Sequence, residues 1–329
     1  MKNLLIAFFI LLTTDAAFTA SAPVTCGSTL TRTTYTLPAD LDCSSATAPI
    51  TVRDRAVLNL NNHVYAGQIV LDGRRAHLRD GTIECILAGT NGGSLDDLRC
   101  VRVEGTGKHT VQNVLLRYRE LGKFGIGIWV LSDNNSLTSN IVFRAPDASV
   151  MILGDNNILQ QNRAVLSNLG SGFYIGGDGN QLIGNYATLH HAGYLTDGDN
   201  NVLIQNVDAG VSDDVSVTDE GFGIAGSGNR LTRNVVTNEN YGIFVFTGFN
   251  TIENNIAIRN GFDLLDGTTN CDSNIWQNNI FETSNQACIG GTTTPLVSTN
   301  ALEKFSALLL RLREMNPKAR PSNIPRGSP

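Results

Sequence analysis

Asp155-Asn156-Asn157-Ile158-Leu159-Gln160-Gln161-Asn162 holds one copy of a phrase, Asn-x-[apolar]-x-x-Asn, that occurs seven times between residues 135 and 279. The copies are Asn135–Asn140, Asn157–Asn162, Asn180–Asn185, Asn201–Asn206, Asn229–Asn234, Asn250–Asn255 and Asn274–Asn279. Their apolar third places are Leu137, Leu159, Leu182, Leu203, Leu231, Ile252 and Trp276. The second Asn recurs at steps of 22, 23, 21, 28, 21 and 24 residues, which is an internal repeat of solenoid length.

A Gly-led or Ser-led apolar strand follows in each repeat: Gly127-Ile-Trp-Val, Ser149-Val-Met-Ile, Gly172-Phe-Tyr-Ile, Gly193-Tyr-Leu-Thr, Gly223-Ile-Ala-Gly, Gly242-Ile-Phe-Val and Gly261-Phe-Asp-Leu. Short β-type stretches broken by Gly and Asn-Asn turns, without helical period, read as strands. Equivalent residues return in the same order and direction, which favours a coil stacking each strand on its counterpart about 4.8 Å away. In such a coil a row of Asn amides forms a ladder, each donating to one neighbour and accepting from the other. The ladder Asn is also expected to take the left-handed conformation of a tight corner.

The phrases at 155–162 and 248–255 (Gly-Phe-Asn-Thr-Ile-Glu-Asn-Asn) resemble repeats of right-handed parallel β-helix proteins. These form the pectin-lyase-like superfamily, with NosD-like periplasmic proteins and carbohydrate-binding and sugar-hydrolase modules among them. The resemblance spans roughly residues 50–290 and implies an all-β, right-handed parallel β-helix of about ten rungs. The expected organisation is a signal peptide at 1–22, a cap at 23–50, the β-helix at 51–290 and a tail at 291–329. In the tail, Leu302, Phe305, Leu309 and Leu312 define an amphipathic helix over 301–315.

Lys2, the apolar run Leu4–Leu12 and the small residues to Ala22 read as a secretory signal, and no later stretch can span a bilayer. The six cysteines, Cys26, Cys43, Cys85, Cys100, Cys271 and Cys288, suit an exported chain, secreted or periplasmic. Their grouping favours three local disulfides among the 15 possible connectivities. A net charge of −6 and a pI near 5.4 disfavour nucleic acid and anionic membranes as partners.

The resemblance implies a polysaccharide or cell-surface glycan as partner, bound or modified, and an acidic glycan is among the candidates. The alternative is a non-catalytic adhesive or structural β-helix, and the sequence leaves the choice open. Counting from the second Asn puts Arg117, Arg144, His190, Glu239 and Arg259 on one strip, with cations to neutralise a uronate and bases for lyase or epimerase chemistry. His190 and His191 are adjacent and are expected to face opposite ways. Alternation directs Trp129, Met151, Tyr174, Leu195, Ala225, Phe244 and Asp263 outward, with Trp129, Tyr174 and Phe244 as sugar-stacking candidates. A second subunit or the tail helix could cover the same row. The long step at 209–221 carries Asp213, Asp214, Asp219 and Glu220, which could ligate Ca²⁺, and no other cofactor is expected. Catalytic motifs of the relatives, Asp-Pro-His, Asn-Thr-Asp, Gly-His-Gly, Arg-Ile-Lys and Trp-Ile-Asp-His, are missing from the sequence, so no catalytic set transfers.

Overall fold

In a computed structural model, residues 23–46, 48–86, 99–119, 125–210 and 219–293 are described, and they wind a parallel β-solenoid of about ten turns. The signal segment 1–22, the tail helix 301–315, Asp213 and Asp214 lie outside the described residues. Every named strand pairing is parallel, and among the described residues thirty strands join into one continuous sheet.

Each turn has three faces. The first holds the strands that follow the first Asn of each phrase, such as Ile158–Gln160, Gln181–Ile183 and Val202–Ile204. Their central residues are the apolar third places, which pair Leu137↔Leu159↔Leu182↔Leu203↔Leu231↔Ile252↔Trp276, all buried. The second face follows the second Asn, and the third carries the Gly-led strands. On the third face Ile128, Val130, Val150, Ile152, Phe173, Ile175, Ile243 and Val245 point inward as alternation requires. Phe173, Tyr194 and Phe222 stack in the core with centroids 4.9 and 4.6 Å apart.

Two Asn ladders run between the faces. In the second, Asn185 Oδ1 accepts the backbone N–H of Asn162 (2.9 Å) and its Nδ2 (3.0 Å), while Asn185 Nδ2 donates to Asn206 Oδ1 and to Leu159 O. In the first ladder Oδ1 takes the backbone N–H of the preceding rung (Asn157 to Asn180, 2.8 Å). The left-handed residue is not the ladder Asn, as expected above, but the one before it. Asn156, Asn200, Gln161 and Gln205 all have φ between 55° and 56°. The ladder side chain must point into the coil, so its neighbour supplies the turn and stays outside.

Within residues 23–50, the segment expected as a cap, Thr29–Thr31, Thr34–Thr36 and Leu41–Asp42 pair in parallel with Ile50–Arg53, Val57–Asn59 and Val64–Ala66, winding a turn of the coil. The rung near Asn113, which lacks its first Asn, is complete. His109 takes that place: its N–H donates to Asn135 Oδ1, and its Nδ1 accepts the N–H of Ala76 at 3.1 Å. Nδ1 as acceptor leaves Nε2–H to donate to Glu104 O at 2.7 Å.

The disulfides form as the local pairs Cys26–Cys43, Cys85–Cys100 and Cys271–Cys288. Among the described residues no helix is long and apolar enough to cross a membrane.

Candidate functional site

The strand Tyr186–Thr196 turns a corner at Leu189, whose φ is 63°. Beyond it His190 enters the core and His191 faces out, the opposed orientation expected of neighbours. Ala192 pairs with Glu220 in the next turn, which sets the preceding residues, His191 and Asp219, side by side. His191 Nδ1 lies 2.8 Å from Asp219 Oδ1, with the two side chains 37% and 16% exposed.

Glu220 lies beside them over Gly223: a Cβ on Gly223 would come within 2.2 Å of Glu220 Oε2. The missing side chain makes a depression in the outward row. Glu220 also lines an open groove of about 610 Å³, together with Gly170, Ser171, His191, Ala192, Leu195, Ala225 and Phe246. Partial burial raises the proton affinity of the Glu220 carboxyl. Among the described residues no Lys or Arg lines the groove.

Behind this wall lies a buried polar cluster. Asp208 holds the inward slot occupied in other turns by Ala164, Ala187, Val236 and Ala257. Glycines make the room: a Cβ on Gly193 would sit 2.4 Å from Asp208 Cγ, and one on Gly210 would sit 2.2 Å from Glu239 Oε1. Both Asp208 carboxyl oxygens and Glu239 Oε1 are buried without a hydrogen-bond donor among the described residues, so charge on both groups would go uncompensated. Burial drives the Asp208 carboxyl well above the usual range and that of Glu239 up to about 8, with the charge of Asp219 adding to both. His190 Nε2 is 3.7 Å from Asp208 Oδ1, and complete burial lowers its proton affinity to about 3, which keeps the ring neutral. Gly193→Ala should therefore destabilise the protein by ~2 kcal/mol through overpacking against Asp208. Urea unfolding of Gly193→Ala, with an exposed-site alanine control, checks this.

The five residues expected on one strip are not brought together. Arg144 and Arg259 occupy left-handed corners (φ 64° and 60°) in the row of Leu166 and Leu189. His190 and Glu239 stand one residue further along, and both side chains turn inward. Arg117 pairs opposite Phe143 rather than Arg144, because the unbroken strand Thr110–Tyr118 shifts the count by one. With Arg119 it binds Glu84, and burial pushes that carboxyl up less than the two guanidinium hydrogen bonds hold it down. A one-residue offset reverses the face a side chain meets, so a strip read by counting splits in two.

The aromatic row does form. Trp129↔Met151↔Tyr174↔Leu195 align in register and continue through Gly223, Phe244 and Leu265. Gly223 replaces the expected Ala225, and Leu265 replaces Asp263. Buried Asp263 instead accepts the backbone N–H groups of Glu282 and Thr283. The Arg99 guanidinium lies 3.2 Å from the Trp129 ring centroid, Tyr174 Oη donates to Asp197 at 2.6 Å, and Phe244 lies 3.8 Å from Phe246.

Asp219 and Glu220, expected as cation ligands, stand at the groove. Among the described residues no three His, Cys, Asp or Glu side chains are placed to hold a metal ion. Sequence reading missed His191 as a partner of Asp219, and it missed Asp208. For Asp208 a signal existed: an acid two places after Asn206, where the other copies carry Val142, Ala164, Ala187, Val236, Ala257 and Phe281.

A family model described as "Right handed beta helix region" matches residues 124–302. No curated protein matches the chain.

Proposed function

The chain belongs to the right-handed β-helix family, and on that scaffold we propose that it binds a neutral polysaccharide along the third face. One observation carries the reading: Trp129, Tyr174, Leu195 and Phe244 stand in a single outward register that leads onto the groove. Flat aromatic faces suit the apolar faces of sugar rings, and Asp197, Arg102 and Glu104 offer polar partners along the same side. The groove's charge chooses among glycans. With Asp219 held at its rim and no Lys or Arg among its described lining residues, the groove offers a uronan no neutralising cation. A neutral chain needs none, so the acidic substrates anticipated from the Arg strip are the poorer match. Three disulfides support a secreted or periplasmic address.

Affinity electrophoresis of the full chain in gels containing xylan, galactan, mixed-linkage glucan, pectate or alginate tests the proposal. Retardation is expected in at least one neutral gel and in neither uronan gel. Tyr174→Ala and Phe244→Ala should each weaken binding about tenfold, which corresponds to ~1.4 kcal/mol. Retention of none of the neutral glycans would overturn the reading and favour an adhesive or structural β-helix.

A further inference from the structure

We propose that the groove is a hydrolytic centre for glycosidic bonds, with Glu220 as proton donor to the leaving oxygen and the His191–Asp219 pair as the base that activates water. The inference rests on the polysaccharide-binding reading and adds a reaction to it.

Three observations converge. Glu220 does not extend into solvent as a surface glutamate would; its carboxyl folds over Gly223, the one place in the outward row without a side chain. Only glycine permits this, since a Cβ there would collide with Oε2 at 2.2 Å and meet Leu195 Cδ1 at 3.1 Å. Second, strand register places the His191–Asp219 contact one residue before the Ala192↔Glu220 pair, so a carboxyl and an imidazole–carboxylate pair share one rim. Third, Leu195, Ala225 and Phe246 give this rim an apolar wall, which lowers the local dielectric and favours the protonated form of the carboxyl.

A carboxyl whose proton affinity is raised, beside an imidazole paired with a carboxylate, is the complement that acid–base hydrolysis of an acetal requires. The glycosidic C–O bond breaks, and the leaving oxygen takes the proton of Glu220. The oxygen of one water bonds to the anomeric carbon while His191 takes a proton from that water and Asp219 stabilises the imidazolium. The proton returns from His191 to Glu220 through solvent, restoring the starting state, and no oxidant or reductant is consumed. Eliminative cleavage fits less well, because it needs a carboxylate on the sugar and a cation to withdraw its charge, and no described lining residue supplies one. A single displacement by water also predicts inversion at the anomeric carbon.

The full chain, incubated in H₂¹⁸O with the neutral glycan that retards it most, should release reducing ends carrying one ¹⁸O at the anomeric carbon. Glu220→Gln and His191→Gln should keep the wild-type melting temperature while losing at least 100-fold in the rate of release. Retardation without release of reducing ends would overturn the hydrolytic assignment and leave the binding proposal standing. Release at an undiminished rate by Glu220→Gln would likewise overturn it. Loss of retardation itself in the wild-type chain would be a failure of the binding proposal, and the two failures are read on separate gels and spectra.

Discussion

Glu239→Gln should stabilise the protein at pH 8 by several kcal/mol and leave it nearly unchanged at pH 5. The sign follows from where the protons sit. Glu239 keeps its proton in the folded protein up to about pH 8, whereas the unfolded chain releases it near the ordinary 4.5. Between those limits the folded state binds one proton more than the unfolded state, so stability falls by ~1.4 kcal/mol for each pH unit. Over the whole interval the loss is on the order of 4 kcal/mol, and glutamine, neutral throughout, removes it. Asp208 contributes in the same direction from its ordinary 3.8 upward, since burial also raises it. His190 acts oppositely. Burial lowers it to about 3 from 6.5, so its contribution is present above 6.5 and is lost as pH falls through 3. On these three groups the stability maximum lies near pH 4 to 4.5, on the acid side of neutrality. Urea midpoints at pH 5, 6.5 and 8 test this. The wild-type midpoint should fall across the series and that of Glu239→Gln should fall less steeply, whereas parallel curves would mean that Glu239 is ionised in the native state.

A cluster with such a cost invites the question of why it could not be read directly from the chain. The fold was legible because the repeat writes polar residues into positions that a solenoid buries, and Asn157 or Asn206 makes sense there only as part of a ladder. What the repeat does not encode is phase at its irregularities. The strand Thr110–Tyr118 runs unbroken past Asn113, so counting from that Asn misplaced Arg117 by one residue and turned a neighbour of Phe143 into a supposed partner of Arg144. At the 28-residue step, Gly221-Phe222-Gly223 offers two glycines two residues apart, and register selects the first as the counterpart of Gly193, since Phe222 pairs with Tyr194. His109 shows a different limit. An imidazole Nδ1 accepts a backbone N–H as an amide oxygen does, but a search for Asn passes over it. The groove needed both failures repaired. Asp219 and Glu220 were visible as an acidic run, yet their chemistry depends on His191, which is 28 residues earlier and becomes a neighbour only through the pairing of Ala192 with Glu220.

Asn206→Ala should cost on the order of 4 kcal/mol, and Asn201→Ala about half of that, although both side chains are fully buried members of the same phrase. The difference lies in what each amide does. Asn206 Oδ1 accepts the N–H of Asn185 (2.9 Å) and its Nδ2 (3.0 Å), while Asn206 Nδ2 donates to Leu182 O (2.8 Å) and Asn234 Oδ1 (3.1 Å). Alanine leaves the Asn185 N–H and the Leu182 carbonyl buried without those partners, at ~1–3 kcal/mol each, and adds a small cavity. Asn201 Oδ1 accepts the N–H of Asn180 (2.7 Å), but its Nδ2 makes no hydrogen bond among the described residues. Truncation there orphans one donor and simultaneously removes one unsatisfied donor, and the two changes partly cancel. Urea denaturation at one pH, with unchanged dependence on denaturant concentration, gives the comparison directly. Equal losses in the two variants would show that the ladders stabilise by filling space. The larger loss at Asn206 would show that directional hydrogen bonds hold one turn to the next.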